Sequence, residues 1–245
     1  MPITRIYQPT ATISIGSNLR LDEKASHHLA RVLRASVGEC ITLFNGQGGE
    51  YLSEIIAIDK KHVTVQIKKF ISHDPESPLE LYLAQGISRG EKMDYTIQKA
   101  VELGVKKIIP LLTERSTVKL DSERREKRWQ HWQSIVISAC EQSGRNKIPE
   151  ILLPQSIENG LESTNADFCF VLAPKAPNKL ADITIQANQR IVLLIGPEGG
   201  LTDQEIKYAE SRNFIPLNLG PRILRTETAA VAAITVLQCY FGDMK

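Results

Sequence analysis

The stretch from Ile191 to Glu205, IVLLIGPEGGLTDQE, constrains the fold more than any other. Its unbroken apolar run reads as a strand covered on both faces, as in a parallel sheet. The run ends at Gly196-Pro197-Glu198-Gly199-Gly200, and Thr202 with Glu205 then forms the Thr-x-x-Glu pattern that starts a helix. Leu201 and Ile206 can staple that start. In open α/β sheets ligands bind beyond the carboxyl ends of the strands. Glycines in such a connection let backbone approach a ligand with no Cβ in the way. A plain glycine-rich connection is the other reading of Gly199-Gly200 taken alone.

The text around this segment alternates in the same way. LELYLAQ, KIIPLL and FCFVL read as strands. Ser88-Arg89-Gly90-Glu91 matches a capping box, with Met93, Ile97, Ala100 and Val101 on one helical face and Gly104 as the stop. Asp121 can cap a long helix whose buried stripe is Trp129, Trp132, Val136, Ala139 and Cys140, ending near Gly144. Strands alternating with helices predict an α/β sheet covered on both sides.

A second segment, IPLNLGPRILRTETAAVAAITVL (215–237), leads through Gly220-Pro221 to a helix that Thr226 can cap. That helix is apolar nearly all round, which predicts burial in the protein or at a subunit interface. Charges at such a buried mouth need partners, so Arg225 and Glu227 either pair with other residues or serve a site.

The N-terminal text differs. CITLFN and EYLSEIIAI flank Gly46-Gln47-Gly48-Gly49 as a hairpin, and HVTVQIKKF alternates as a third strand. DEKASHHLARVLRA reads as one helix, with Ala25, Leu29, Val32 and Leu33 on its inner face and Arg31 and Arg34 outside. His27 and His28 read as residues of the helix surface rather than catalysts. These elements predict a small β-barrel with one helix. ISHDPESP (71–78) marks a boundary, giving domains 1–72 and 73–245. Residues 1–72 carry nine Lys/Arg against six Asp/Glu, a modest excess on a chain of net charge +2. A further basic stretch runs from Arg115 to Arg128.

Several classes are excluded. With 42% apolar and 24% charged residues, the chain can form a core. No apolar run reaches the ~20 residues of a membrane helix. MPITRIYQPT lacks the apolar segment of a secretory signal. Cys40, Cys140, Cys169 and Cys239 are dispersed, which argues against a metal site or a disulfide framework and for a reduced, cytosolic protein. GxxxxGK[ST] is absent, as is GxGxxG after a strand, so the usual nucleotide loops lose their support.

GPEGGLTDQE followed by LGPRILRTETA resembles the SPOUT-class RNA methyltransferases, and most closely the group that methylates N3 of a uridine in small-subunit (16S) ribosomal RNA. The likeness covers nearly the whole chain. ITRIYQP, HHLARVLR and GECITLFNGQGGEY are similar to that family's PUA-like RNA-binding barrel, and KMDYTIQKAVELGV and EQSGR match its middle segments. The resemblance implies a C-terminal trefoil knot, bound S-adenosylmethionine and a homodimer with its site at the interface. The donor-binding candidates are then Leu172 and Ala173; Ile195, Gly196, Pro197, Glu198, Gly199 and Gly200; and Leu217, Leu219, Gly220, Arg222, Ile223, Leu224 and Thr226. Arg225, Glu227 and Glu198 are the candidates for catalysis, as base, orienting group or cation beside the developing anion. Ribosomal RNA or the 30S subunit is the expected partner, contacted by Arg5, His28, Arg31 and Arg34, with Arg115, Arg124 and Arg145 in addition. Two rivals remain at this stage. One is a non-catalytic RNA-binding protein that uses the α/β part to dimerise. The other is a nucleotidyltransferase, for which no two-metal carboxylate cluster is apparent.

Overall fold

A computed structural model describes residues 4–9, 13–116, 121–162, 164–179, 183, 185 and 189–244. Thr117–Leu120 of the basic stretch lie outside them. The chain divides into two compact units. The first is Met1–Glu76 with Cys140–Ile148, and the second is Ser77–Ala139 with Pro149–Lys245. The division falls after Glu76 rather than after Ser72, and EQSGR belongs with the N-terminal unit.

Unit 1 holds β1 (Thr4–Tyr7), β2 (Asn18–Arg20), α1 (Glu23–His27), β3 (Cys40–Phe44), β4 (Glu50–Ile58) and β5 (Val63–Ile71). They form one mixed sheet in the order β1-β3-β4-β5-β2, with β1 parallel to β3 and the remaining pairs antiparallel. The hairpin and the third strand stand where alternation placed them. β1 and β2 are too short to show a period. Inward residues Ile6, Leu21, Ile41, Leu43, Ile55, Val65 and Ile67 form the core with Ala25 and Leu29 of the helical segment.

That segment departs from the expected helix. Asp22 caps α1 by accepting from the Ala25 N–H at 2.8 Å. From His28 the chain widens into a π-helical turn, closed by Leu33 N–H donating to His28 O. The wider turn rotates Val32 and Leu33 outward, and they are 59% and 44% exposed.

Unit 2 holds β6 (Glu80–Gly86), α2 (Glu91–Glu102), β7 (Lys107–Leu112), α3 (Ser122–Ser143, its last turn counted with unit 1), β8 (Glu150–Ile151), β9 (Gln155–Ser156), α4 (Ile157–Glu162), β10 (Phe168–Leu172), β11 (Asn178–Lys179), β12 (Arg190–Ile195), α5 (Asp203–Ser211), β13 (Phe214–Asn218) and α6 (Thr226–Phe241). The strands form a parallel sheet ordered β11-β13-β10-β12-β6-β7-β8, with β9 also on β7. β12 is buried almost throughout, as its continuous apolar text requires, and β6 is buried beside it although it carries Gln85. α2 packs beside α6. Among the described residues, no helix is long and apolar enough to cross a membrane.

Two helix boundaries differ from expectation. Ser88 does not cap α2; Gly90, at φ 51°, stands at the cap with no side-chain bond. Thr226 lies inside α6, Arg225 occupies its cap, and the threonine hydroxyl is used elsewhere. Gly104 does end α2. At φ 83° it allows Val105 N–H to reach Ala100 O and its own N–H to reach Val101 O, both at 3.0 Å.

Candidate active site

Adjacent strands β13, β10 and β12 release their chains at one edge of the sheet, and the three loops enclose a cavity of about 420 Å³. This lies within the usual range for small-molecule sites, roughly 300–1,000 Å³. After β12, Gly196–Gly200 turns tightly, with Gly200 N–H on Pro197 O at 2.8 Å. The loop is fixed at its far end by the capping box: Glu205 N–H donates to Thr202 Oγ1 at 3.2 Å and Thr202 N–H to Glu205 Oε2 at 2.7 Å. Glu205 is buried and also accepts from Glu114 N–H at 2.8 Å, which sets the neighbouring Arg115. The Arg115 guanidinium then donates to Gly199 O and Leu201 O at 3.2 and 3.3 Å.

The opposite wall comes from β10 and β13. Ala173 N–H donates to Leu217 O at 2.9 Å, and the Asn218 amide holds Pro174 O at 3.2 Å. Gly220 takes φ 108°, a conformation that favours glycine. Cβ atoms at Gly200 and Gly220 would meet no atom of the described residues within 4 Å, and both line the cavity.

The cavity brings together every donor-binding candidate named from the sequence, with Arg225 and Glu198. Arg115, expected at RNA, also lines it. Lys92, Pro174, Leu201, Ile206 and Ala229 line it too and were not anticipated. Lys92 reaches it from α2, on a strand-to-helix unit far from the glycine loop in sequence. No local motif signals that neighbourhood; the β6–β12 pairing creates it.

Glu198 and Glu227 part company. Glu198 accepts from Arg89 N–H at 3.0 Å and pairs with Lys92 at 3.5 Å. Burial pushes its carboxyl up, but backbone N–H groups and the Lys92 ammonium outweigh that and hold it below the usual carboxylate range. It is therefore a fixed anion that ties the loop to the start of α2, poorly suited to collecting a proton. Glu227 does not line the cavity, and its buried Oε2 has no hydrogen-bond partner among the described residues. Arg222 and Arg225 are exposed and lack ion-pair partners among the described residues.

The RNA candidates also separate. Arg31 and Arg34 are exposed and His28 is half-buried. Arg124 is exposed beside Asp121 at 3.5 Å. Arg5 and Arg145 are turned inward. Arg5 pairs with Glu50 and donates to Gly144 O and Asn146 Oδ1 at 3.1 and 2.6 Å. Arg145 is 4% exposed and bonded to Glu76. Both are paired within unit 1, and Arg145 is buried there, unlike the exposed Arg31 and Arg34.

The RNA methyltransferase domain family matches residues 75–238, and the RNA methyltransferase PUA domain family matches residues 21–68. The ribosomal RNA small subunit methyltransferase E of Buchnera aphidicola (from Acyrthosiphon pisum) is 39% identical over 92% of this chain and 89% of its own. The chain belongs to the ribosomal RNA small subunit methyltransferase E family. The Bacillus subtilis member is 32% identical over 86% of each chain. A Legionella pneumophila protein solved with bound SAM superposes with a TM-score of 0.96 at 43% identity, covering 99% of this chain and all of that one. The Neisseria gonorrhoeae family member, bound to S-adenosyl methionine, gives 0.92 at 39% over 99% and 100%.

Proposed function

We propose that this protein transfers a methyl group from S-adenosylmethionine to N3 of a uridine in 16S ribosomal RNA. The carrying observation is the cavity in which the β10, β12 and β13 loops converge with the start of α6. Its shape suits the cofactor: apolar Leu217, Leu219, Ile223 and Leu224 can pack on an adenine, and the glycine loop offers bare backbone groups to polar ends. Family membership supports the cofactor and the RNA class. The knot implied by the resemblance remains part of the proposal.

When bound, S-adenosylmethionine supplies an electrophilic methyl on a sulfonium. The protein must then align N3 and remove its proton, and alignment alone can contribute about 7–11 kcal/mol. Lys92, Arg115, Arg222 and Arg225 make the cavity and its rim cationic, which favours an RNA phosphate and the anion that N3 becomes. Glu227 does not itself line the cavity but follows Thr226, which does, and its Oε2 has no partner among the described residues; it is the candidate for the proton, while Glu198 orients the loop.

RNA from cells lacking this protein should lose one N3-methyluridine from 16S rRNA by mass spectrometry, and the purified protein should restore it. Glu227→Gln should restore it far more slowly. An unchanged methylation map overturns the assignment.

Arg31, Arg34 and His28 are the proposed RNA contacts of unit 1. Replacing both arginines by alanine should lower the slope of log affinity against log salt by roughly 1–2, since each phosphate contact contributes about 0.7–0.9. An unchanged slope removes them from the interface. A homodimer is also proposed, supported by the apolar side of α6 that stays partly open at Val231, Val236 and Tyr240, with Tyr95 of α2 46% exposed. A monomeric mass in solution removes it. Cytoplasmic location follows from the proposed substrate.

A further inference from the structure

Gln85, the penultimate residue of β6, is fully buried although its side chain is an amide. Its NH2 carries two protons and lies 3.0 Å from Gly86 O and 3.0 Å from Thr226 Oγ1, with Gly196 O at 3.3 Å sharing one of them. Thr226 Oγ1 in turn donates to Gly196 O at 2.7 Å, closing a triangle. The amide orientation is forced. Two of its neighbours are carbonyl oxygens, which accept only, so the NH2 end must face them. That leaves Gln85 Oε1 buried without a hydrogen-bond partner among the described residues. A buried acceptor left unpaired is a cost, and native proteins rarely carry one without a return elsewhere.

The triangle joins three chain segments that meet nowhere in sequence: the end of β6, the glycine loop after β12 and the first residue of α6. Gly196 and Thr226 both line the cavity, and Gln85 does not. The backbones are already as close as they can be, since a Cβ on Gly86 would stand 2.6 Å from Pro197 N.

We infer that Gln85 is a positioning residue for the cofactor cavity, acting through Thr226 and the Gly196 carbonyl to fix the spacing between its glycine-loop wall and its α6 wall. The inference rests on the proposed cofactor reading. Gln85 orients the Thr226 hydroxyl by donating to it, and that hydroxyl spends its own proton on Gly196 O. The Gly196 carbonyl is thereby held away from the ligand, leaving the rest of the loop to face it. An apolar residue at position 85 would pack as well against the sheet but would free both partners.

The test is calorimetric binding of S-adenosylmethionine to the full chain, together with KM for cofactor and for RNA, well below the unfolding midpoint. Thr226→Val, close in shape but without the hydroxyl, is expected to weaken cofactor binding about 10-fold, the scale of one to two hydrogen bonds. Gln85→Leu should do the same. The double variant should lose little more than either single one, because both break one triangle. Thr226→Ser, which keeps the hydroxyl, should recover most of the affinity. KM should rise for the cofactor and not for RNA. Cofactor binding by Thr226→Val and Gln85→Leu within twofold of the unaltered protein overturns the inference, as does Thr226→Ser failing like Thr226→Val. If Gln85→Leu does not fold, the two Thr226 variants decide. Absence of binding by the unaltered protein overturns the cofactor reading and the clamp with it.

Discussion

Gly196→Ala should abolish S-adenosylmethionine binding, with affinity falling at least about 100-fold, while the β12 strand remains intact. A Cβ at this position would stand 2.8 Å from Leu201 N and 2.9 Å from Gly200 C. Both are backbone atoms, so no side chain can swing away to make room. Gly196–Leu201 must open, and the same residues form one wall of the cavity. Overpacking of this kind costs about 1–3 kcal/mol in a rigid setting, and misplacing binding groups by about 1 Å can cost about 100-fold by itself. Gly86→Ala should behave alike, although Gly86 does not line the cavity, because its Cβ would strike Pro197. Gly199→Val presses on Arg115 Cβ, which an alanine-sized Cβ would already meet at 3.0 Å, and should also weaken binding strongly. Calorimetry on the folded variants reads all three. Binding of Gly196→Ala within threefold of the unaltered protein would mean that the loop does not shape the site.

The contrast among these glycines shows what the sequence makes legible. The loop 196–200 announces itself through an apolar run on one side and a Thr-x-x-Glu start on the other, and both signals are local. The capping box at Thr202 and the stop at Gly104 form as their patterns require. Gly86 carries no signal, because its constraint comes from Pro197 across a strand pairing. Gln85 reads as an ordinary strand residue for the same reason. Lys92 joins the cavity only because β6 lies beside β12. The capping box at Ser88 fails although its pattern is as good as the one at Thr202. There Gly90 takes the cap, and Arg89 N–H is turned toward Glu198. Local grammar thus yields to a long-range contact that serves the cavity. Val32 and Leu33 are misplaced by periodicity because a π turn breaks the spacing on which periodicity depends. Isolated arginines are the least legible. Arg31 and Arg145 look alike as text, and only their partners distinguish a surface charge from a buried one.

Arg145→Met is expected to destabilise unit 1 by about 3–5 kcal/mol, the usual cost of removing one partner from a buried ion pair. The side chains of Arg145 and Glu76 are each 5% exposed, and Nε lies 3.2 and 3.0 Å from the two carboxylate oxygens. Removing the guanidinium strands a carboxylate that water does not reach. The loss should spread, because Arg5 holds the backbone carbonyls of Gly144 and Arg145, and buried Asn146 donates to His73 O at 2.9 Å. The nearby Cys140 thiol, pushed up to about 12 mainly by burial, adds no charge to offset the loss. Pairing Arg145→Met with Glu76→Leu should recover most of the stability, since a well-packed apolar pair can replace a buried ion pair at little cost. Denaturant unfolding and amide exchange of β1 and β3 measure both variants. The same proteins separate two roles for this residue. A structural Arg145 lowers stability and leaves the salt slope of RNA binding unchanged in the rescued double variant. An Arg145 that bound RNA would lower that slope by about 1 with stability preserved, and that result would overturn the account of the Cys140–Ile148 segment as part of the first unit's core.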